Sequence, residues 1–200
     1  MAITTPPRAA EIERSTGETS IRLRLALDGS GECSATTGVG FFDHMLDLLA
    51  RHAGLDLDVD ASGDLATGSH HTTEDVGIVL GLALDQALGD RSGIARYGDA
   101  TVPMDEALAA SAIDVSGRPF CAFEGTIPEA TIGGWETDLV EEFFRAVANN
   151  ARLTVHVRLL AGTNAHHMVE VSFKAFARAL RAAVSLDDSV TGIPSTKGSL

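Results

Sequence analysis

The pattern His-His-x-x-Glu occurs twice, as His70-His71-Thr72-Thr73-Glu74 and as His166-His167-Met168-Val169-Glu170, 96 residues apart in a chain of 200. A repeat at nearly half the chain length restricts the fold to a unit built twice. The flanking periodicities agree. Residues 55–60 and 153–159 both alternate apolar with polar as half-buried strands do, and their first leucines, Leu55 and Leu153, lie 98 residues apart. Upstream, 21–27 reads as a strand, 28–31 as a turn and 32–37 as a returning strand. Residues 41–52 carry the helical stripe Phe42, Met45, Leu46 and Leu49. A helix over 70–88 stops at Gly89 and Asp90. In the second half, 108–115 and 119–125 read as a hairpin around Ser116-Gly117, followed by a helix over 136–150, a strand over 153–159 and a helix over 166–184. The order strand-strand-helix-strand-helix thus appears twice. This predicts an α+β fold: an internally duplicated two-layer unit, each half an open sheet with helices packed on one face. The expected divisions are a flexible tail over 1–10, repeat halves over 11–95 and 96–186, and a C-terminal phosphate-binding tail over 187–200.

Composition narrows the partners. A formal net charge of −13 argues against nucleic acid or an anionic membrane surface. A small phosphorylated molecule is still allowed, since a few basic residues can cluster. Hydrophobic content of 44% with no apolar run near membrane-spanning length reads as a globular protein. The N-terminus lacks an apolar signal core, so a cytoplasmic location is expected. Cys33 and Cys121 stand far apart in strand-like contexts and read as small buried hydrophobes rather than a disulfide.

The repeated motif is metal chemistry in its residue types. Imidazole and carboxylate both bind transition metals. On a helix the spacings of three and four put Glu74 on one face with His71 and His70. Adjacent residues diverge by about 100°, so the two histidines of a pair serve different ions. With the 98-residue offset His44 matches Glu142, also a ligand type. The candidate ligands are therefore His44, His70, His71, Glu74, Glu142, His166, His167 and Glu170, enough for two ions; the mixed N/O set suits Mn, Fe or Zn alike. Arg96, Arg118 and Lys174 stand near loops, glycines or the second metal helix, and Ser195-Thr196-Lys197-Gly198 offers hydroxyls and an amine suited to phosphate. Glu18, His52 and Asp105 are isolated polar candidates, and His156 reads as an exposed strand residue.

Seven motifs in order carry a specific resemblance: Gly-Val-Gly-Phe-Phe-Asp-His-Met-Leu at 38–46, His-His-Thr-Thr-Glu-Asp at 70–75, Pro-Met-Asp-Glu at 103–106, Ser-Gly-Arg-Pro at 116–119, Asn-Ala-His-His-Met-Val-Glu at 164–170, Phe-Lys-Ala-Phe-Ala-Arg-Ala-Leu at 173–180 and Pro-Ser-Thr-Lys-Gly at 194–198. From about Arg14 onward the chain resembles the imidazoleglycerol-phosphate dehydratase family of histidine biosynthesis. The resemblance implies a duplicated α+β fold, two manganese ions per chain and a homo-oligomer of 24 chains with sites between subunits. It also implies a monofunctional hydro-lyase, since some members carry an added phosphatase domain and this sequence begins almost at the dehydratase part. In such an enzyme metals on both ring nitrogens stabilise an imidazolate, a diazafulvene-type elimination expels the hydroxyl, and a carboxylate removes the neighbouring proton, giving imidazole-acetol phosphate. Catalytic roles then fall to Glu18, Glu170, His71 and Asp105, with either Glu18 or Glu170 as general base. Substrate and phosphate contacts fall to Glu18, His44, His52, Arg96, Arg118, Lys174, Ser195, Thr196 and Lys197. In some members the position matching Glu142 is a metal-ligating histidine; here it is an acid. The competing readings are a dinuclear hydrolase of small phosphate esters and a non-enzymatic metal-storage cage, and turnover of imidazoleglycerol phosphate separates all three.

Overall fold

The computed structural model describes residues 8–200. The first half runs β1 (Ala9–Ser15), β2 (Thr19–Ala26), β3 (Cys33–Thr36), α1 (Gly40–Ala53), β4 (Asp56–Gly63) and α2 (His70–Leu88). The second runs β5 (Tyr97–Met104), β6 (Ala107–Asp114), β7 (Phe120–Glu124), a small pair β8 (Thr131–Ile132) and β9 (Trp135–Glu136), α3 (Leu139–Ala151), β10 (Thr154–Ala161) and α4 (Ala165–Val184). The sheets have orders β1-β2-β4-β3 and β5-β6-β10-β7, the same topology twice. The helices of each half cover one face of its sheet, and α2 packs on α3 and α1 on α4. The two halves therefore close on a common helical layer between two sheets, with one core cluster drawing on both. Among the described residues no helix is long and apolar enough to cross a membrane.

Each four-stranded sheet has one strand more than the periodicity suggested, and the second half adds the small pair β8 and β9. β1 and β5 are edge strands whose alternation is masked: Arg14 points inward in β1, and β5 contains Gly98 and Pro103. An edge position tolerates proline because its N–H is not needed by a neighbour. A side chain at Gly98 would meet the Ala179 carbonyl oxygen at 2.0 Å, so glycine lets the strand lie against α4. The expected tail over 1–10 lies outside the described residues for its first seven positions; Ala9 and Ala10 belong to β1, with Ala10 buried.

Three local readings are corrected. Residues 108–115 and 119–125 are not a hairpin. β6 pairs antiparallel with β5 and β10, and β7 lies parallel to β10 on its other side. In the first half β3 likewise runs parallel to β4 instead of returning along β2. The third helix starts at Leu139, not at 136, because Trp135 and Glu136 pair with Ile132 and Thr131. This insertion plugs the core: Trp135 is fully buried, stacks on Phe42 at 5.7 Å and donates its ring N–H to Thr73 Oγ1 at 2.8 Å. Cys33 and Cys121 fall at the same place in the two halves, opposite Leu57 and Val155. Both are free and half-buried, and burial pushes their thiols up to about 12 and about 11.

Candidate active site

Two helix contacts decide which motif residues meet. α4 begins where Asn164 caps it by accepting the His166 N–H at 3.0 Å, so His166 and His167 occupy its first turn. Packing of α1 on α4 brings His44 to that turn. Glu170 Oε1 then accepts from His166 Nε2 at 2.8 Å and from His44 Nε2 at 3.3 Å, while Oε2 accepts from Lys174 Nζ at 2.8 Å. Phe41, 5.0 Å from the His166 ring, walls one side. Burial acts to raise the Glu170 carboxyl; the bonds from Lys174 and His166 outweigh it and leave the group below its ordinary value. Two imidazole nitrogens and an ionised carboxylate from one chain thus converge, a donor set that fits a divalent ion.

The second histidine of each pair turns away. His70 and His71 stand at 84° to each other, His166 and His167 at 90°. His71 Nδ1 is 3.1 Å from both oxygens of Asp64, and its Nε2 faces Glu18 Oε1 at 3.8 Å. The hydrogen bond to Asp64 raises the His71 pKa and lowers that of Asp64. His167 Nδ1 is 2.7 Å from Glu106 Oε2, and Asp105 Oδ2 lies 3.8 Å from its Nε2. Glu106 also accepts from the backbone N–H groups of Asn164 at 2.8 Å and Thr163 at 3.2 Å. His167 and these amides hold its carboxyl down at about 2, and His167 is raised in return.

The remaining expected ligands are placed less completely. His70 Nε2 lies 3.8 Å from Glu74 Oε2 on the exposed start of α2. Glu142, on α3, is held by Arg145 at 2.9 and 3.1 Å instead of meeting His70 or Glu74. Among the described residues, no three His, Cys, Asp or Glu side chains are spread around a point an ion could fill; His44 and His166 are each bonded to Glu170.

The basic residues separate into three places. Arg96, Arg118, Ser195, Thr196 and Lys197 line one cleft of about 750 Å³ together with Tyr97 and Ser199. The tail is folded onto it: Arg96 Nη1 donates to the Pro194 carbonyl at 2.8 Å, and Gly93 N–H to the Gly192 carbonyl at 2.8 Å. Asp114 orients Arg96 through bonds of 2.8 and 3.3 Å. With Asp114 as the neighbouring acid, three cations leave the cleft net positive, which suits a phosphate. Lys174 and His52 lie elsewhere. Lys174 is committed to Glu170, and His52 sits at the end of α1 in a separate cleft with Arg178 and Arg181, where burial and the nearby cations lower its pKa. Lys197→Ala should therefore raise KM about tenfold or more while changing kcat little, a tenfold change being about 1.4 kcal/mol of binding. Steady-state kinetics check this, and an unchanged KM would mark the tail as a bystander.

Two residues escaped the sequence reading. Glu106 lies in a quoted motif, but Asp105 beside it was singled out, and only the hairpin register shows that Glu106 is the counterpart of Glu18. Asp64 follows β4 in a loop with no local signal.

Comparisons with known proteins bear on the sequence and the fold as a whole. The sequence profile of the family described as imidazoleglycerol-phosphate dehydratase matches residues 37–180. Proteins of that name from Azorhizobium caulinodans and Moorella thermoacetica are 59% identical over 194 residues and 58% identical over 193, each covering 96% of this chain and 98% of the relative. Among solved structures, the dehydratase from Staphylococcus aureus superposes with a TM-score of 0.81 at 42% identity, covering 90% of this chain and 99% of that one. The protein from Pyrococcus furiosus gives 0.82 at 36%, covering 94% and 100%.

Proposed function

Since the chain belongs to the imidazoleglycerol-phosphate dehydratase family, and so carries out the hydro-lyase step of that name in histidine biosynthesis, we propose that its two HHxxE helices are half-sites for two divalent ions, completed by another copy of the chain. The observation that carries this is the duplicated geometry. In each half the first histidine and the glutamate share one helix face, and the second histidine turns roughly perpendicular, His71 between Asp64 and the hairpin's Glu18 and His167 onto the hairpin's Glu106. Histidines aimed apart in this way suit ions shared between neighbouring subunits, in an assembly of 24 chains.

Manganese suits the donor set, in which hard carboxylates accompany imidazole. His44, His70, His71, Glu74, His166, His167 and Glu170 would hold the ions, with Glu142 able to join once freed from Arg145. When bound, such ions would polarise the imidazole of the substrate and favour loss of its ring proton. The chain's own groups do the rest. The cleft of Arg96, Arg118, Ser195, Thr196 and Lys197 receives the phosphate. Lys174 keeps Glu170 ionised. Asp64 fixes the ring of His71, and Glu18, whose carboxylate is 56% exposed, takes the proton from the carbon beside the one that loses hydroxide. The hydroxide and the proton held by Glu18 together account for the water lost, and the resulting enol becomes the ketone of imidazole-acetol phosphate. Glu170 is a poorer base, because both of its oxygens already accept hydrogen bonds. Asp105 reaches toward His167 from a largely exposed turn and serves there as a weak outer partner. Free, inert thiols in both halves accord with the cytoplasm as compartment.

Chelation should abolish turnover of imidazoleglycerol phosphate, manganese should restore it, and elemental analysis of active protein should find two ions per chain. Light scattering should give a mass near 24 times 20.9 kDa. Glu142→Ala should lower the ion count or its affinity. An active monomer, or full activity without metal, refutes the shared-site reading.

A further inference from the structure

The duplication supplies an internal comparison. The two hairpins superpose with registers intact: Arg14 pairs with Ile21 in the first as Val102 pairs with Ala109 in the second, and Ser15 with Ser20 as Pro103 with Leu108. On that register Glu18 corresponds to Glu106, Arg14 to Val102 and Thr19 to Ala107. Counting from the first motif histidine of each helix, Asp75 corresponds to Val171. In the second half Val102, Ala107 and Val171 pack in one aliphatic cluster. In the first half the same three places are polar. Asp75, 7% exposed, accepts from Thr19 Oγ1 at 2.5 Å, and Arg14 Nη1 lies 2.5 Å from the same oxygen.

The fold does not need this polar join, since the other half makes it with aliphatic side chains. Nor is a buried ion pair an efficient source of stability beside apolar groups of similar shape. What it adds is direction, because the charge-assisted hydrogen bond from Thr19 to Asp75 fixes distance and angle where aliphatic packing does not. The group it holds is the turn bearing Glu18. Thr19 follows Glu18 in the chain, and Asp75 stands on the helical turn after His71. The second half fastens its turn differently: Glu106 is itself bonded to His167, Asn164 and Thr163, so its carboxylate is committed to structure. The carboxylate of Glu18 makes no hydrogen bond among the described residues and must be held in place by something else.

We propose that Asp75, with Arg14 and Thr19, is a positioning residue for the dehydration: it locks the β1–β2 turn onto α2 so that the free carboxylate of Glu18 stays beside His71. This rests on Glu18 being the group that moves the proton. The test measures kcat, KM and thermal midpoint of the manganese-loaded assembly for Asp75→Asn, Thr19→Val, Glu18→Gln and the double variant Asp75→Asn/Glu18→Gln. Asp75→Asn should lower kcat about tenfold or more, as small misplacements of reacting groups do, with KM within about twofold because the phosphate cleft is untouched. Thr19→Val, which keeps the side-chain shape, should lower kcat about threefold, and it decides the matter if Asp75→Asn does not assemble. The double variant should turn over no more slowly than Glu18→Gln alone, since Asp75 acts through Glu18. Loss of thermal stability with kcat within twofold in both Asp75→Asn and Thr19→Val overturns the proposal, as does a further additive loss in the double variant. If Glu18→Gln keeps full kcat, it is the assignment of Glu18 that fails.

Discussion

Glu170→Gln should lower turnover at least about 100-fold, the upper end of what losing a mere supporting group at a metal site costs. Glu170 joins two helices: one oxygen takes His166 and His44, the other takes Lys174. The amide keeps the shape but not the charge. It cannot neutralise Lys174, whose ammonium is largely buried, and it makes a poor ligand for a hard ion. The variant should therefore fall short in metal content as well as in kcat, and lose on the order of 1–3 kcal/mol of stability from the unpaired ammonium. Elemental analysis, kinetics at saturating manganese and thermal unfolding read the three effects separately. Wild-type metal content with wild-type kcat would remove Glu170 from the site altogether.

Glu18→Gln should act on chemistry alone. Removing a general base costs about 10²–10⁴-fold in rate, and glutamine at an exposed turn position disturbs no buried contact. KM and thermal midpoint should stay near wild type, because Glu18 lies on the β1–β2 turn, away from the cleft around Arg96 and Lys197 proposed to take the phosphate. A fall in kcat with KM unchanged identifies a group that works in the transition state. If kcat stays within threefold, the proton is taken by another carboxylate. Glu106 is a weak candidate for that role, since His167 and two backbone amides already occupy its oxygens.

Both predictions depend on a division of labour that the chain states twice. Local spacing was enough to pair the motif residues, because His70 and Glu74, or His166 and Glu170, meet within one turn of the same helix. It was also enough to pair His44 with Glu142 as equivalent positions. It could not show that His44 closes on Glu170, because that depends on how α1 sits on α4; the Glu142–Arg145 pair, three residues apart on α3, was within its reach. The α2–α3 contact depends on Gly77 and Gly81: a side chain at either would come within 2.9 Å of Ala146 or 2.8 Å of the Val147 carbonyl oxygen.

The sequence by itself determined the duplicated α+β plan, the four helices and the two repeated His-His-x-x-Glu motifs. Each of these is encoded by periodicity or by residue types a few positions apart, where geometry follows from the backbone repeat. Only the tertiary structure decided the parallel placement of β3 and β7, the edge strands β1 and β5, the plug formed by Trp135, and the choice of Glu106 over Asp105 as the partner of His167. It also decided the folding of the Ser195–Lys197 segment onto Arg96, and the separation of Lys174 and His52 from that cleft. These are pairings across long stretches of chain, selected by which faces can be buried together with their hydrogen bonds satisfied. No local pattern carries that information. Asp75 shows the difference most directly, for in sequence it is one more acid after a motif, and in the fold it joins β1, β2 and α2.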